Sequence, residues 1–181
     1  MEERTANRAR THRASLRASR TEDRAASLRS CLGRFATGVA VVTFDGPDGR
    51  HGLTVNSFTS VSLDPPLILV NVAKKARAHG MLRDRPFCVN VLGAEQEWVA
   101  RNFAGGPEAP LTWIEGARAP HISGVLAQLE CVPWRAYDGG DHTIFLGEVV
   151  NFDFRDGDAL GYVTSRFRAI DDQQLGHEYL I

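Results

Sequence analysis

The chain has 181 residues, 43% of them hydrophobic and 24% charged, with a formal net charge of −1; this balance suits a soluble globular domain with one core and offers no bulk attraction to nucleic acid or to an anionic membrane. Cys31, Cys88 and Cys131 are far apart and outside C-x-x-C spacing, so neither a disulfide framework nor a zinc knuckle is indicated, and a reducing cytoplasm is the expected setting. No apolar run approaches the ~20 residues of a membrane span, and the N-terminus has no signal-peptide h-region.

Residues 1–26 are rich in Arg, Ala, Ser and Thr and nearly devoid of large aliphatics, so they cannot bury enough area to offset their ordering entropy. A disordered or frayed helical tail is expected. A transit peptide is the rival, opposed by Glu2, Glu3, Glu22 and Asp23, and a nucleic-acid arm is the third reading. From Ser27, the apolar residues Leu28, Cys31, Leu32 and Phe35 fall at i, i+3, i+4 and i+7, which predicts a short amphipathic helix ending near Gly38. Val39–Phe44 is a β-branched run; Asp45-Gly46-Pro47-Asp48-Gly49 is a dense turn signal; and Gly52–Pro66 returns as a strand with an unusual share of small and hydroxylated residues. Leu67–Val72 is an almost wholly apolar strand, entered through Asp64-Pro65-Pro66.

Lys74–Arg85 is polar and helix-compatible, Phe87–Leu92 is a strand, and Glu95–Phe103 is a second short helix with Trp98, Val99, Asn102 and Phe103 on one side. After a Gly/Pro-marked loop come two long strands, Val125–Arg135 and His142–Phe154, then a short one at Ala159–Ser165. Residues 171–181 are read as a C-terminal tail. Six or seven strands with only short helices predict a mainly β fold, a closed or half-closed antiparallel barrel spanning residues 27–170. Neither G-x-G-x-x-G nor a P-loop is present, so a nucleotide would have to be held in another way. The six histidines do not fall at metal-ligand spacing, and no metal is expected.

Four segments, "RFATGVAVVT" (Arg34–Thr43), "GLTVNSFTSVSLDPPLILV" (Gly52–Val70), "FCVNVL" (Phe87–Leu92) and "GGDHTIFLGEV" (Gly139–Val149), occur in the order and spacing of the flavin reductase family, which the chain resembles over about Ser27–Ile170. The resemblance implies an FMN-binding split barrel, a Greek-key antiparallel β-barrel with short flanking helices that is generally a homodimer. It also implies an NAD(P)H-dependent flavin reductase that passes hydride from NADH or NADPH to FAD or FMN and supplies reduced flavin to a partner monooxygenase by diffusion. Two alternatives stand beside it: a flavoprotein that retains FMN and acts on another small molecule, and a non-catalytic flavin- or haem-binding split barrel.

Small residues on the Gly52–Pro66 strand would let a flat isoalloxazine ring lie against backbone, with Thr54, Asn56 and Ser57 facing its N3, O4 and N5. The plainer reading is a barrel strand whose hydroxyls cap a turn. The resemblance implies cofactor contacts from His51, Gly52, Leu53, Thr54, Asn56 and Ser57, from Asn71, Val72 and Ala73, and from Asn102 and Phe103. Lys74, Lys75, Arg77 and His79, at the start of an expected helix, form a candidate anion site. Two lysines on a loop are otherwise simply solvated. By resemblance Lys75, Arg77 and Ala78 lie at the flavin phosphate, although Lys75, Ala76 and Ala78 stand where relatives carry hydroxyl residues. Gly139-Gly140-Asp141-His142 is a hairpin turn on its own terms. The resemblance makes it part of the nicotinamide site, with His142 as the catalytic candidate oriented by Asp141, and with Tyr162 and Ser165 on a further strand near the dinucleotide.

Overall fold

A computed structural model describes residues 22–170. Most of the expected N-terminal tail and all of residues 171–181 lie outside the described residues. The described residues divide into two units, one of residues 22–36 with 163–165, the other of residues 37–162 with 166–170.

In the first unit α1 spans residues 22–32 and closes at Gly33, whose amide donates to the Arg29 carbonyl at 2.9 Å. The helix therefore starts before Ser27 and stops well before Gly38. Its predicted apolar stripe faces solvent: Leu28, Leu32 and Phe35 are all exposed.

The second unit is a β structure of twelve strands. Seven form one antiparallel sheet in the order β3-β2-β6-β9-β10-β5-β4, namely Gly49–Val55, Ala40–Gly46, Phe87–Val91, Ala127–Gly139, His142–Phe154, Pro66–Ala73 and Thr59–Leu63. Alternation along β2 sets the layers, because successive side chains of a strand point to opposite faces. Ala40, Val42 and Phe44 enter a core with Val55, Val70, Val72, Val89 and Phe145, contributed by strands across the sheet, so the sheet curls around its own interior. Val39 and Val41 point the other way, into a second core with Leu92, Val99, Ala100 and Leu160. That outer core is roofed by α3 (Glu97–Asn102), by the two-residue pair β7 (Trp113–Ile114) and β8 (His121–Ile122), and by a small sheet of β1 (Thr37–Gly38), β11 (Ala159–Val163) and β12 (Arg166–Ile170). The fold is a split barrel. β3 and β4 are the two edges of the curled sheet, and the gap lies between β3 on one side and β5 beyond its pairing with β4 on the other.

Two polar side chains buried in the large sheet, Asn90 of β6 and Glu130 of β9, are fully engaged, whereas Thr37 Oγ1 and His121 Nδ1 in the roof are buried without a partner. Asn90 donates to the Val41 carbonyl and to Thr43 Oγ1, each at 2.9 Å, and accepts from the Ile122 amide at 2.8 Å. Glu130, only 1% exposed, accepts from the amides of Ala117, Arg118 and Ala119 and from Asn151 Nδ2. Burial acts to raise its pKa, but these four donors outweigh it and hold the carboxyl below its ordinary value. Cys88 and Cys131 are free and buried, and desolvation pushes both thiols up, Cys131 to about 12. No helix among the described residues is long and apolar enough to cross a membrane.

Two sequence expectations change here. Lys74–Arg85 is mostly turn, and its only helix is α2, His79–Leu82. A four-residue helix with no side-chain cap adds little partial charge at its N-terminus, so the expected helix-dipole contribution to an anion site is absent. Gly52–Pro66 is two strands, β3 ending at Val55 and β4 starting at Thr59, with Asn56, Ser57 and Phe58 between them.

Candidate active site

A cavity of about 580 Å³ occupies the gap. Leu53, Thr54 and Val55 of β3 continue into Asn56 and Ser57 to form one wall, and Asn71, Val72 and Ala73 of β5 with Ala76 form the facing one. Phe103 and Ala104, following α3, close one end, and Gly139, His142 and Ile144 from β9 and β10 stand at the other side of β5. Register places them: β5 pairs antiparallel with β10 so that Ala73 faces His142 and Asn71 faces Ile144, while His142 also opposes Gly139 of β9.

The hydroxyls of this cavity are committed. Thr54 Oγ1 donates to the Ala100 carbonyl at 2.7 Å, and its amide donates to the Phe103 carbonyl at 3.2 Å, which ties α3 to β3. Ser57 Oγ accepts from the Asn71 amide at 2.9 Å and donates to the Asn71 carbonyl at 3.1 Å. By contrast, Asn71 Oδ1 is buried with no hydrogen-bond partner. A buried acceptor left unpaired costs about 1–3 kcal/mol, so this residue is set for an incoming donor. At the β9–β10 turn, His142 Nδ1 lies 2.7 Å from Asp141 Oδ1, and this bond to the imidazole holds the Asp141 carboxyl below its ordinary value.

Residues 32–171 match the flavin reductase like domain. The chain belongs to that family. An NADH-dependent FAD reductase of Streptomyces globisporus is 50% identical over 133 residues, 68% of this chain and 72% of the relative. The solved Streptomyces globisporus NADH:FAD oxidoreductase in complex with NAD and FAD fragments has a TM-score of 0.78 at 43% identity, over 84% of this chain and 96% of that one. The reductase component of a Thermus thermophilus 4-hydroxyphenylacetate 3-monooxygenase is 34% identical over 146 residues, 80% of this chain and 95% of that relative.

Of the residues that the resemblance implies as cofactor contacts, the structure brings Leu53, Thr54, Asn56, Ser57, Asn71, Val72, Ala73, Phe103 and His142 together around one cavity. The other candidates stand elsewhere. The His51 ring stacks on Phe44 with centroids 5.5 Å apart and bonds Asp48 at 2.6 Å. Gly52 gives its space to a side chain, since a Cβ there would lie 2.4 Å from Phe103 Cε1. Lys75 and Arg77 sit on the exposed loop after β5, with Arg77 Nη2 2.6 Å from Asp48 Oδ2. Lys74 instead pairs with Asp138. The Ala78 side chain is buried in the barrel core. Asn102 ends α3, where its carbonyl accepts from Gly105. Asp141 borders the cavity only through His142. Tyr162 packs on Phe167 in the outer core, with ring centroids 5.3 Å apart. Ser165 sits in the β11–β12 turn at a φ of 61°, the left-handed region that favours glycine.

Val55, Ala76, Ala104 and Ile144 are wall residues that the sequence did not single out as contacts, while Gly139 belongs to the Gly139–His142 stretch already named. Ile144 had a signal, since it lies two positions from His142 on the same strand face. The alanines had none.

Proposed function

We propose that this chain is an NADH-dependent flavin reductase that takes FAD or FMN as an exchangeable partner and passes reduced flavin to a separate monooxygenase. The observation that carries the reading is the slot between β3 and β5, with an unpaired acceptor on one wall and a histidine at its side. The slot suits a flavin: its volume falls within the roughly 300–1,000 Å³ of small-molecule sites. Leu53, Phe103 and Ile144 offer apolar wall to a tricyclic ring, and Asn71 with Asn56 offers hydrogen bonding to its pyrimidine edge. Thr54 and Ser57, whose hydroxyls are engaged with backbone, shape the slot and leave ring recognition to the asparagines.

A bound flavin supplies the hydride-accepting N5, and the protein's own tasks are to orient two rings and keep water out. Asn71 Oδ1 accepts from the ring N3–H and so fixes the flavin's in-plane rotation. His142, with Nδ1 held by Asp141, keeps Nε2 for the nicotinamide, and Gly139 beside it leaves room for that ring. Arg77 takes the flavin phosphate, with Lys75 beside it. The hydride transfer needs no protein nucleophile. Purified chain mixed with NADH should consume it only when FMN or FAD is added, and flavin-independent consumption, or none at all, refutes the reading. The Asn71 role is tested by titrating a flavin methylated at N3. It should bind about tenfold more weakly than its parent to the wild type but equally to Asn71→Leu, and equal wild-type affinities refute the contact.

A homodimer belongs to the same proposal. β10 overruns β5, which pairs with it only from His142 to Glu148, and beyond that point Val150, Phe152 and Phe154 share one exposed face. An unpaired strand edge carrying aromatics is a surface that a second copy would cover. Sedimentation returning a monomer at working concentration refutes it.

A further inference from the structure

Asp48 lies in the turn between β2 and β3, a stretch whose composition signals nothing beyond a hairpin. In the structure both of its carboxylate oxygens are engaged. Oδ1 is 2.6 Å from His51 Nε2, and Oδ2 accepts from Arg77 Nη2 at 2.6 Å. The His51 ring is itself immobilised: it stacks on buried Phe44 and lies across Gly46, where a Cβ would stand 2.3 Å from Cδ2. Asp48 is thus anchored on one side and holds Arg77 on the other. The Arg77 side chain is 78% exposed, so no packing fixes it apart from this carboxylate, and it directly follows the cavity-wall residue Ala76.

A guanidinium presents its N–H groups in one plane, and a carboxylate and a phosphate compete for the same fork. We propose that Asp48 is a built-in competitor for the flavin phosphate: its carboxylate occupies the guanidinium that the phosphate must take, which loosens the hold on flavin and speeds its exchange. The inference rests on the assignment of Arg77 to that phosphate. Its size is bounded by chemistry. An exposed ion pair shifts an equilibrium by at most about fivefold, so Asp48 tempers affinity without blocking binding. That suits a reductase whose product has to leave, because release limits the turnover of many enzymes.

The test is fluorescence titration of wild type, Asp48→Asn, Arg77→Ala and the double variant with FMN and with riboflavin, which has the same ring and no phosphate. Asp48→Asn should tighten FMN binding about two- to fivefold and leave riboflavin unchanged. Arg77→Ala should weaken FMN alone and erase the gain of Asp48→Asn in the double variant. If Arg77→Ala weakens FMN but Asp48→Asn leaves it unchanged or weaker, the competitor role is overturned while the phosphate assignment stands, and Asp48 then positions Arg77. A shift of FMN and riboflavin by the same factor places the effect in the fold and likewise overturns the proposal. If Arg77→Ala alters neither ligand, the phosphate assignment fails and the competitor falls with it.

Discussion

Replacing Gly52 by Ala puts one methyl group where the structure has an aromatic edge. The added Cβ would stand 2.4, 2.5 and 3.0 Å from Cε1, Cδ1 and Cζ of Phe103. Carbon atoms pack at roughly 3.5–4.0 Å, so the ring has to retreat by about 1 Å. Its backbone cannot carry it away, since the Phe103 amide donates to Val99 and its carbonyl accepts from Thr54, each at 3.2 Å. On its far side the ring meets Trp113, edge to face with centroids 6.0 Å apart. The open direction is the cavity that Phe103 lines. Overpacking of this kind costs about 1–3 kcal/mol, and a ring driven into the slot should also weaken flavin binding about tenfold. Urea denaturation and flavin titration measure the two effects separately. Introducing Phe103→Leu in the Gly52→Ala background should recover most of the flavin affinity lost. Stability within about 0.5 kcal/mol of wild type, or the same penalty whether residue 103 is Phe or Leu, refutes the reasoning.

Three further outcomes are expected. His142→Ala should lower NADH oxidation at least about tenfold while flavin titration stays nearly unchanged, and equal rates would remove the imidazole from the site. Glu130→Gln should destabilise the fold by about 2–3 kcal/mol in urea at neutral pH, because it replaces a carboxylate held by four donors. Glu130 has a depressed folded pKa, so its contribution is complete above the ordinary glutamate value of 4.5 and is lost as pH falls through the lower folded value; a wild-type stability that does not fall on acidification below 4.5 contradicts this. Ser165→Gly should raise stability by about 0.5–1 kcal/mol by relieving a side chain at a φ of 61°, and a lower denaturation midpoint would refute it.

β2 was legible as the β-branched run Val39–Phe44, and the structure buries both sides of it, Ala40, Val42 and Phe44 in one core and Val39 and Val41 in the other. β12 was missed because Arg166-Phe167-Arg168-Ala169-Ile170 is short and mostly exposed, and its alternation sends a single large side chain, Phe167, toward the outer core. The cavity wall was named mainly through the family resemblance, and residue character itself pointed to it only on the small and hydroxylated stretch with Thr54, Asn56 and Ser57. What those groups bond could not be read there. Thr54 reaches Ala100 and Ser57 reaches Asn71, and only tertiary structure brings these partners together. Gly52 was read as leaving room for a flavin ring or another backbone, whereas the group that fills this space in the folded chain is the Phe103 side chain. The grip of Asp48 on Arg77, a residue 29 positions away, leaves no local trace in a turn of ordinary hairpin composition.

Ser57 stands opposite Asn71 in the same pairing frame that sets Thr59 against Leu69, yet it bonds through its hydroxyl where a strand would use its backbone. One torsion, χ1 of a serine, therefore governs the end of this seam beyond the backbone pairs that run from Thr59–Leu69 to Leu63–Pro66. Turning it frees both Asn71 backbone groups while every rung between β5 and β10 stays intact, whereas a fully laddered seam would have to break several rungs for the same widening.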